Sequence, residues 1–174
     1  GAPLECFWRI AAKQSILAAG ALERPVAFAN NDRPGIMTAG AVRAYLNRWG
    51  VAPGKHVADF GNNDDAHRTA RDLAAAGVHV AALIDSREGG SIEGADFPVL
   101  RGAVVCNASG RKELEAVTIR TAGGEHKIQA DCLAMSGGWN PSVHLTCHLG
   151  GRPTWEPDIH AFLPTPGAVP GMHV

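Results

Sequence analysis

Gly61, Asn63 and Ala66 fall at the spacing of a dinucleotide-binding turn, where glycines and a small third residue let a backbone approach a pyrophosphate. The chemistry at such a turn is electrostatic. Unpaired amides at a helix N-terminus, with its partial positive charge, hold an anion. Asn63 stands where the second glycine belongs, and asparagine reaches left-handed backbone angles more readily than most residues, so the turn can still close. Asp64 and Asp65 oppose this reading, because aspartates cap a helix start well but repel a phosphate. A strand–helix–strand unit with Asp64 as its cap, and no ligand, accounts for the same residues.

Asp85 ends the next apolar run, at roughly the 20-residue offset where a carboxylate accepts hydrogen bonds from an adenosine ribose. A free 2′-hydroxyl donates to a carboxylate and a 2′-phosphate is repelled by it, which favours NAD over NADP. The competing reading has Asp85 cap the strand end beside Arg87, and Arg87 could itself receive a phosphate. Ser136, Gly137 and Gly138 follow another buried run and should reach the same rim as Gly61, where they border either the cofactor or a plain turn. The candidate binding set is therefore Gly61, Asn62, Asn63 and Asp64; Asp85, Ser86 and Arg87; and Ser136, Gly137 and Gly138. No catalytic residue is expected: there is no GxSxG, and no cysteine has a sequence partner that would mark it as a nucleophile. His144, Cys147 and His148 have a spacing a metal could use on a helix, but further ligands are not evident and no metal is predicted. Trp8, Trp49, Trp139 and Trp155 are read as core or interface packing. Asp59, inside an apolar run, has His56 and His79 as possible partners.

The elements that must position these residues are marked by periodicity. Residues 36–49 recur at helical spacing, with Gly50 beyond them. Residues 56–60 read as a strand, 66–76 as a helix and 78–84 as a second strand, which together make a βαβ unit with parallel strands. A polar loop over 86–94 precedes three strands at 102–106, 116–121 and 125–129, an antiparallel meander. Residues 131–135 form a further apolar strand and 142–149 a short helix. At the start, 6–10 and 14–18 read as short strands and 19–25 as a turn. From 150 onward the chain is proline-rich and irregular, with 161–163 extended. The fold class is α/β: a Rossmann-like parallel sheet with flanking helices and a small antiparallel meander.

Composition sets the bounds. At 174 residues the chain can bury a core without staples. With 21 glycines and 11 prolines in a chain that is 45% hydrophobic, turns between buried elements are expected rather than disorder. A net charge of -1, histidines neutral, gives no surface for nucleic acid. No apolar stretch approaches the roughly 18 residues of a membrane span, and no leader segment is evident. Cys6, Cys106, Cys132 and Cys147 form no CxxC pair and are expected as reduced thiols of a cytoplasmic protein.

Three segments together resemble one family. Ala-Ala-Gly-Ala-Leu-Glu-Arg-Pro at 18–25, with Asn-Asn-Asp-Arg-Pro-Gly-Ile-Met at 30–37, is similar to the stretch leaving the flavin domain in the alpha subunit of heterotetrameric sarcosine oxidase. Asn-Asn-Asp-Asp-Ala at 62–66 is similar to that family's altered dinucleotide turn. Asp-Cys-Leu-Ala-Met-Ser-Gly-Gly-Trp-Asn-Pro at 131–141 resembles its exit strand, the counterpart of the Ala-Thr-Gly-x-x-Pro motif in pyridine nucleotide–disulfide oxidoreductases. The resemblance is collinear over nearly the whole chain.

It implies a domain of an enzyme that oxidises sarcosine to glycine and hydrogen peroxide and passes the one-carbon unit to tetrahydrofolate. In that family the alpha subunit binds NAD, and the amine is oxidised at a flavin on another subunit. The flavin and folate sites would lie outside these residues, so the chain is expected to be a piece of a longer polypeptide, partnered by its remainder and by the other subunits. Residues 1–34 would be flanking strands and linker, 35–145 the NAD-binding domain and 146–174 the return toward the flavin domain. Alone, such a piece is expected to bind NAD weakly or not at all and to catalyse nothing. Two rival readings remain: a subunit domain of another flavin-dependent amine or opine dehydrogenase, or a structural module whose nucleotide cleft has decayed.

Overall fold

The computed structural model describes residues 3–89 and 94–174; the expected loop at 86–94 lies partly outside the described residues. Along the chain, β1 (Ser15–Ile16) and β2 (Ala21–Glu23) come first. β3 (Ile36–Thr38) runs directly into α1 (Ala39–Trp49). β4 (His56–Gly61), α2 (Asp64–Ala75) and β5 (His79–Asp85) follow. Next are β6 (Val99–Arg101), β7 (Val104–Ser109), β8 (Ala116–Thr121), β9 (Gly124–Gln129) and β10 (Cys132–Ser136). The remainder holds β11 (Trp139–Pro141), α3 (His144–His148), β12 (Thr154–Glu156), β13 (Ala161–Leu163) and β14 (Met172–His173).

The chain divides into two compact units. One is Glu23–Trp139, and the other joins the segment up to Leu22 to that from Asn140 onward. In the larger unit a five-stranded sheet has the order β3-β10-β4-β5-β6, every pair parallel. A separate antiparallel sheet, β7-β8-β9, is the expected meander.

The parallel strands are apolar on both faces, as strands covered on both sides must be. Ala58, Phe60, Ala82, Ile84 and Leu133 face one way and pack with Val105, Leu114, Val117 and Ile119 of the meander and its approaches. Val57, Leu83, Cys132 and Ala134 face the other way, against Ala39 and Val42 of α1 and Ala66, Ala70 and Leu73 of α2. The unit is thus three layers: helices, parallel sheet, meander. Arg43 and Asn47 on α1 both reach Asp72 on α2, at 3.2 and 3.3 Å, and tie the helices side by side.

The smaller unit is built from short pieces. β1 and β14 pair in parallel, β12 and β13 form an antiparallel hairpin, and Trp155 packs edge-on against Phe162 at 5.0 Å.

Several boundaries depart from the sequence pattern for identifiable reasons. The expected helix from 36 gives up its first turn, because Ile36, Met37 and Thr38 pair with Leu133, Ala134 and Met135 of β10. A strand partner overrides helical spacing there. The helix expected from 66 begins at Asp64, because a cap forms one residue earlier. The expected turn at 19–25 contains β2, and residues 6–10 form no strand. β6, three residues long, carries too little pattern to be seen beforehand.

Candidate functional site

The site is built where β4 turns into α2. Gly61 ends β4, and a Cβ on it would lie 2.5 Å from the Ala66 Cβ and 3.0 Å from the Ser136 carbonyl oxygen. The glycine is needed so that the first turn of α2 can lie on the strand, and the small Ala66 completes the fit. This is helix-to-strand packing, whereas the spacing alone pointed to approach to a pyrophosphate.

Asn63 behaves differently from expectation. Its backbone is extended (φ -152°, ψ 173°) rather than left-handed, and it is the N-cap of α2, its Oδ1 accepting from the Asp65 amide at 3.0 Å. Its Nδ2 donates to the Ser136 carbonyl and lies 3.1 Å from the Ser136 Oγ. Asn63 therefore pins the turn to β10, and Asp64 is the first helical residue instead of the cap. Asn62, exposed, donates its amide to the Ser136 carbonyl at 3.3 Å. A cap satisfies one first-turn amide; the others have no partner within the helix. Asp65 is held away from that position by the Trp139 indole, which donates to it, and by Arg43 at 3.7 Å.

Asp85 ends β5, paired with Gly61 in register, and is fully buried. Its carboxylate is saturated from within the protein. Oδ1 accepts from the Arg87 amide at 2.9 Å and from Arg87 Nε at 3.1 Å. Oδ2 lies 2.6 Å from His67 Nε2, 3.0 Å from Arg87 Nη2 and 2.8 Å from Arg101 Nη1. Burial alone would raise this carboxyl, but the Arg87 side chain and amide, with His67, outweigh it and hold it below the usual carboxylate range. Arg87 reaches on to Asp64 at 2.9 Å, and that bond and charge lower the exposed Asp64 carboxyl too. The Arg87 guanidinium is correspondingly raised, first by its bond to Asp85. Ser86 donates its amide to the Gly61 carbonyl at 3.0 Å, joining the two strand ends.

At the third predicted position, Ser136 is buried and bonded to Asn63. The close approach at Gly137 is made by the chain itself: its amide donates to the Arg24 carbonyl at 2.8 Å, and a Cβ there would lie 2.8 Å from that oxygen. Gly138, at φ +93°, accepts from the Arg24 amide at 2.8 Å. The structure thus brings 61–64, 85–87 and Ser136 together at one rim, while Gly137 and Gly138 accommodate the incoming segment at Arg24.

His67 and Arg101 were missed from sequence. His67 sits on the inward face of α2, one turn from Asp64, and Arg101 at the end of β6. The only available signal was a basic residue closing a strand too short to detect.

Asp59 pairs with neither histidine; His56 and His79 contact each other edge to face at 5.1 Å. Its side chain is fully buried, and both oxygens lack a hydrogen-bond partner. Burial pushes its carboxyl well above the ordinary range and the Glu23 charge adds to this, against smaller opposing effects of the Phe60 backbone and Arg43. Glu23 accepts from the Gly40 amide at 2.7 Å in the first turn of α1. None of the four tryptophans is buried, so they do not form the core. Cys6, Cys106, Cys132 and Cys147 are free thiols, and burial, with Asp131 and Asp59 nearby, pushes Cys132 up to about 12. Among the described residues no cluster of His, Cys, Asp or Glu is arranged to hold a metal, and no helix is long and apolar enough to cross a membrane.

No family model matches the chain. The sarcosine oxidase alpha subunit of Rhizobium meliloti (strain 1021) is 47% identical over 173 residues, covering 99% of this chain and 17% of that protein. Its counterpart in Corynebacterium sp. (strain U-96) is 44% identical over 187 residues, 100% of this chain and 19% of that protein. The chain is a homologue of one segment of the sarcosine oxidase alpha subunit. The chain spans under a fifth of the length of the relatives it matches. An opine oxidase subunit from Rhizobium meliloti (strain 1021) is more distant, 26% identical over 87% of the segment and 40% of that protein. Among solved structures, L-proline dehydrogenase from P. horikoshii superposes with a TM-score of 0.72 at 22% identity, covering 94% of the segment and 29% of that chain. Thioredoxin reductase from T. acidophilum gives 0.68 at 17% identity, over 93% and 56%. The chain therefore has the Rossmann-like α/β fold of these two structures.

Proposed function

We propose that this segment is the NAD-binding domain of the alpha subunit in a sarcosine oxidase. The whole enzyme would demethylate sarcosine oxidatively to glycine and hydrogen peroxide, with the one-carbon unit passed to tetrahydrofolate. The observation that carries this reading is near-complete alignment at 47% identity, joined to the Gly61–Ala66 turn that leads into α2. Residues 35–145 form the NAD-binding domain in this reading, 1–34 lead in from the flavin domain and 146–174 return to it. The partners are the remainder of the same polypeptide and the other subunits, in the cytoplasm, with neither nucleic acid nor membrane among them.

The residues present fit a dinucleotide. Gly61, Asn62, Asn63 and Asp64 present the tight turn and the helix end to a diphosphate. Asp85, held as a carboxylate by Arg87, Arg101 and His67, is the acceptor for ribose hydroxyls and disfavours a 2′-phosphate. Ser86 and Arg87 flank that acceptor, and Ser136, Gly137 and Gly138 bound the nicotinamide side. These residues bind and orient the nucleotide and perform no chemistry of their own, since substrate oxidation belongs to a flavin outside this segment.

The test uses the complete oxidase, with every subunit in place. Denaturation should release NAD in amounts matching the alpha subunit, and sarcosine should drive peroxide formation. Released NADP, or no nucleotide at all, would contradict the reading. The opine oxidase likeness supports a second reading, the same domain serving another amine, and oxidation of an opine in place of sarcosine would favour it.

A further inference from the structure

Asp85 is oversubscribed. A carboxylate offers about four lone-pair directions, yet it meets the Arg87 amide, Arg87 Nε and Nη2, Arg101 Nη1 and His67 Nε2 at once. No acceptor capacity is left for a ribose hydroxyl. One of these donors can leave. The Arg87 side chain is 38% exposed, against 22% for Arg101 and 10% for His67, so it lies on the outside of the cluster. Its second anchor, Asp64, is 87% exposed, where an ion pair is screened and weak. If Arg87 departs, Arg101, His67 and the Arg87 amide still neutralise Asp85, so no buried charge is stranded.

The path of the side chain gives it a destination. It crosses from the end of β5 to the first residue of α2, over the mouth of the βαβ crevice where a diphosphate meets a helix N-terminus. A guanidinium forks onto phosphate oxygens as well as onto carboxylates. We infer that Arg87 is a displaceable strap: on entry of an adenine dinucleotide its guanidinium moves from Asp85 and Asp64 to the diphosphate, opening Asp85 to the ribose hydroxyls. This rests on the NAD-binding reading and deepens it. The strap also accounts for Asp64 at the helix start, because the guanidinium that partners this carboxylate is the cation that meets the incoming phosphates.

The strap has a signature that a simple plug or a simple structural brace lacks. Removing Arg87 should weaken a ligand that carries a diphosphate and spare, or tighten, one that does not. The experiment is a 15N NMR titration of the chain, wild type and Arg87→Ala, with NAD and separately with adenosine, with Arg87→Gln as a second variant. In the wild type, NAD should shift the Arg87 Nε–H signal together with the amides of 61–66. In both variants the NAD dissociation constant should rise roughly tenfold, while adenosine binds as well as before or more tightly. Equal weakening of NAD and adenosine would overturn the strap in favour of a brace. Unchanged or tighter NAD binding would overturn it in favour of a plug. An Arg87 Nε–H signal that stays fixed while 61–66 shift would overturn it with the NAD site intact. No wild-type response of 61–66 to millimolar NAD, in the chain and in the complete oxidase alike, would overturn the binding reading itself.

Discussion

Asp59 and Asp85 sit on neighbouring strands of one sheet, both stripped of solvent, and their surroundings treat them in opposite ways. Asp85 receives three basic side chains and a backbone amide, and its carboxyl is held low. Asp59 receives no hydrogen bond, and its carboxyl is driven up. The pH consequences differ in sign. A carboxyl whose folded pKa exceeds its unfolded value near 3.8 makes a contribution that is full below that value and lost as pH rises through the folded pKa. Asp59→Asn removes that loss, so its stability relative to wild type should grow between pH 4 and pH 8 by about 1 kcal/mol or more, measured by urea unfolding. A flat difference across that range would remove the buried, unpaired acid from the account. Asp85 works the other way. Its contribution is present above pH 3.8 and lost as pH falls through the lower folded value, so Asp85→Asn should flatten the acid limb of the unfolding curve. At this scale the sequence showed that Asp59 and Asp85 were unusual but not why. Neither the oversubscription of Asp85 nor the isolation of Asp59 can be read without knowing that β5 and β6 lie side by side and that Glu23 returns to the start of α1.

At the scale of elements, the β4–α2–β5 unit was legible because its apolar runs are long and its boundaries carry glycine, asparagine and aspartate. The meander was legible for the same reason. β3 and β6 were not, since three residues give no period and their strand character comes from pairing with β10 and β5. Gly61 was singled out by its spacing, and the role the structure shows for it is packing against Ala66. Gly61→Ala should therefore cost stability before any ligand is added, about 1–3 kcal/mol from the forced separation of α2 and β4. Thermal and urea unfolding measure this. An alanine variant as stable as the parent would mean the turn can relax, and the fit of helix to strand would lose its argument. Asn63 shows the limit of motif spacing. Its place in the pattern pointed to a left-handed turn residue, but the side chain makes a better cap than the backbone makes a turn.

On the scale of the whole molecule, the larger unit holds both core clusters and all of the candidate site, while the smaller is assembled from segments far apart in sequence. The chain spans under a fifth of the length of the sarcosine oxidase alpha subunits it matches. The family was legible because the three segments that resemble it are collinear and rich in glycine, proline and asparagine, residues whose positions are fixed by backbone geometry. The proposed function requires the rim formed by β4, α2, β5 and β10 to take NAD. Its most direct test is titration of the chain with NAD and, separately, NADP up to millimolar concentration, followed through the backbone amides. Shifts confined to 61–66, 85–87 and 136–138, with NAD and not with NADP, are expected. A response to both nucleotides alike, or none at these residues together with no NAD held by the complete oxidase, would contradict it.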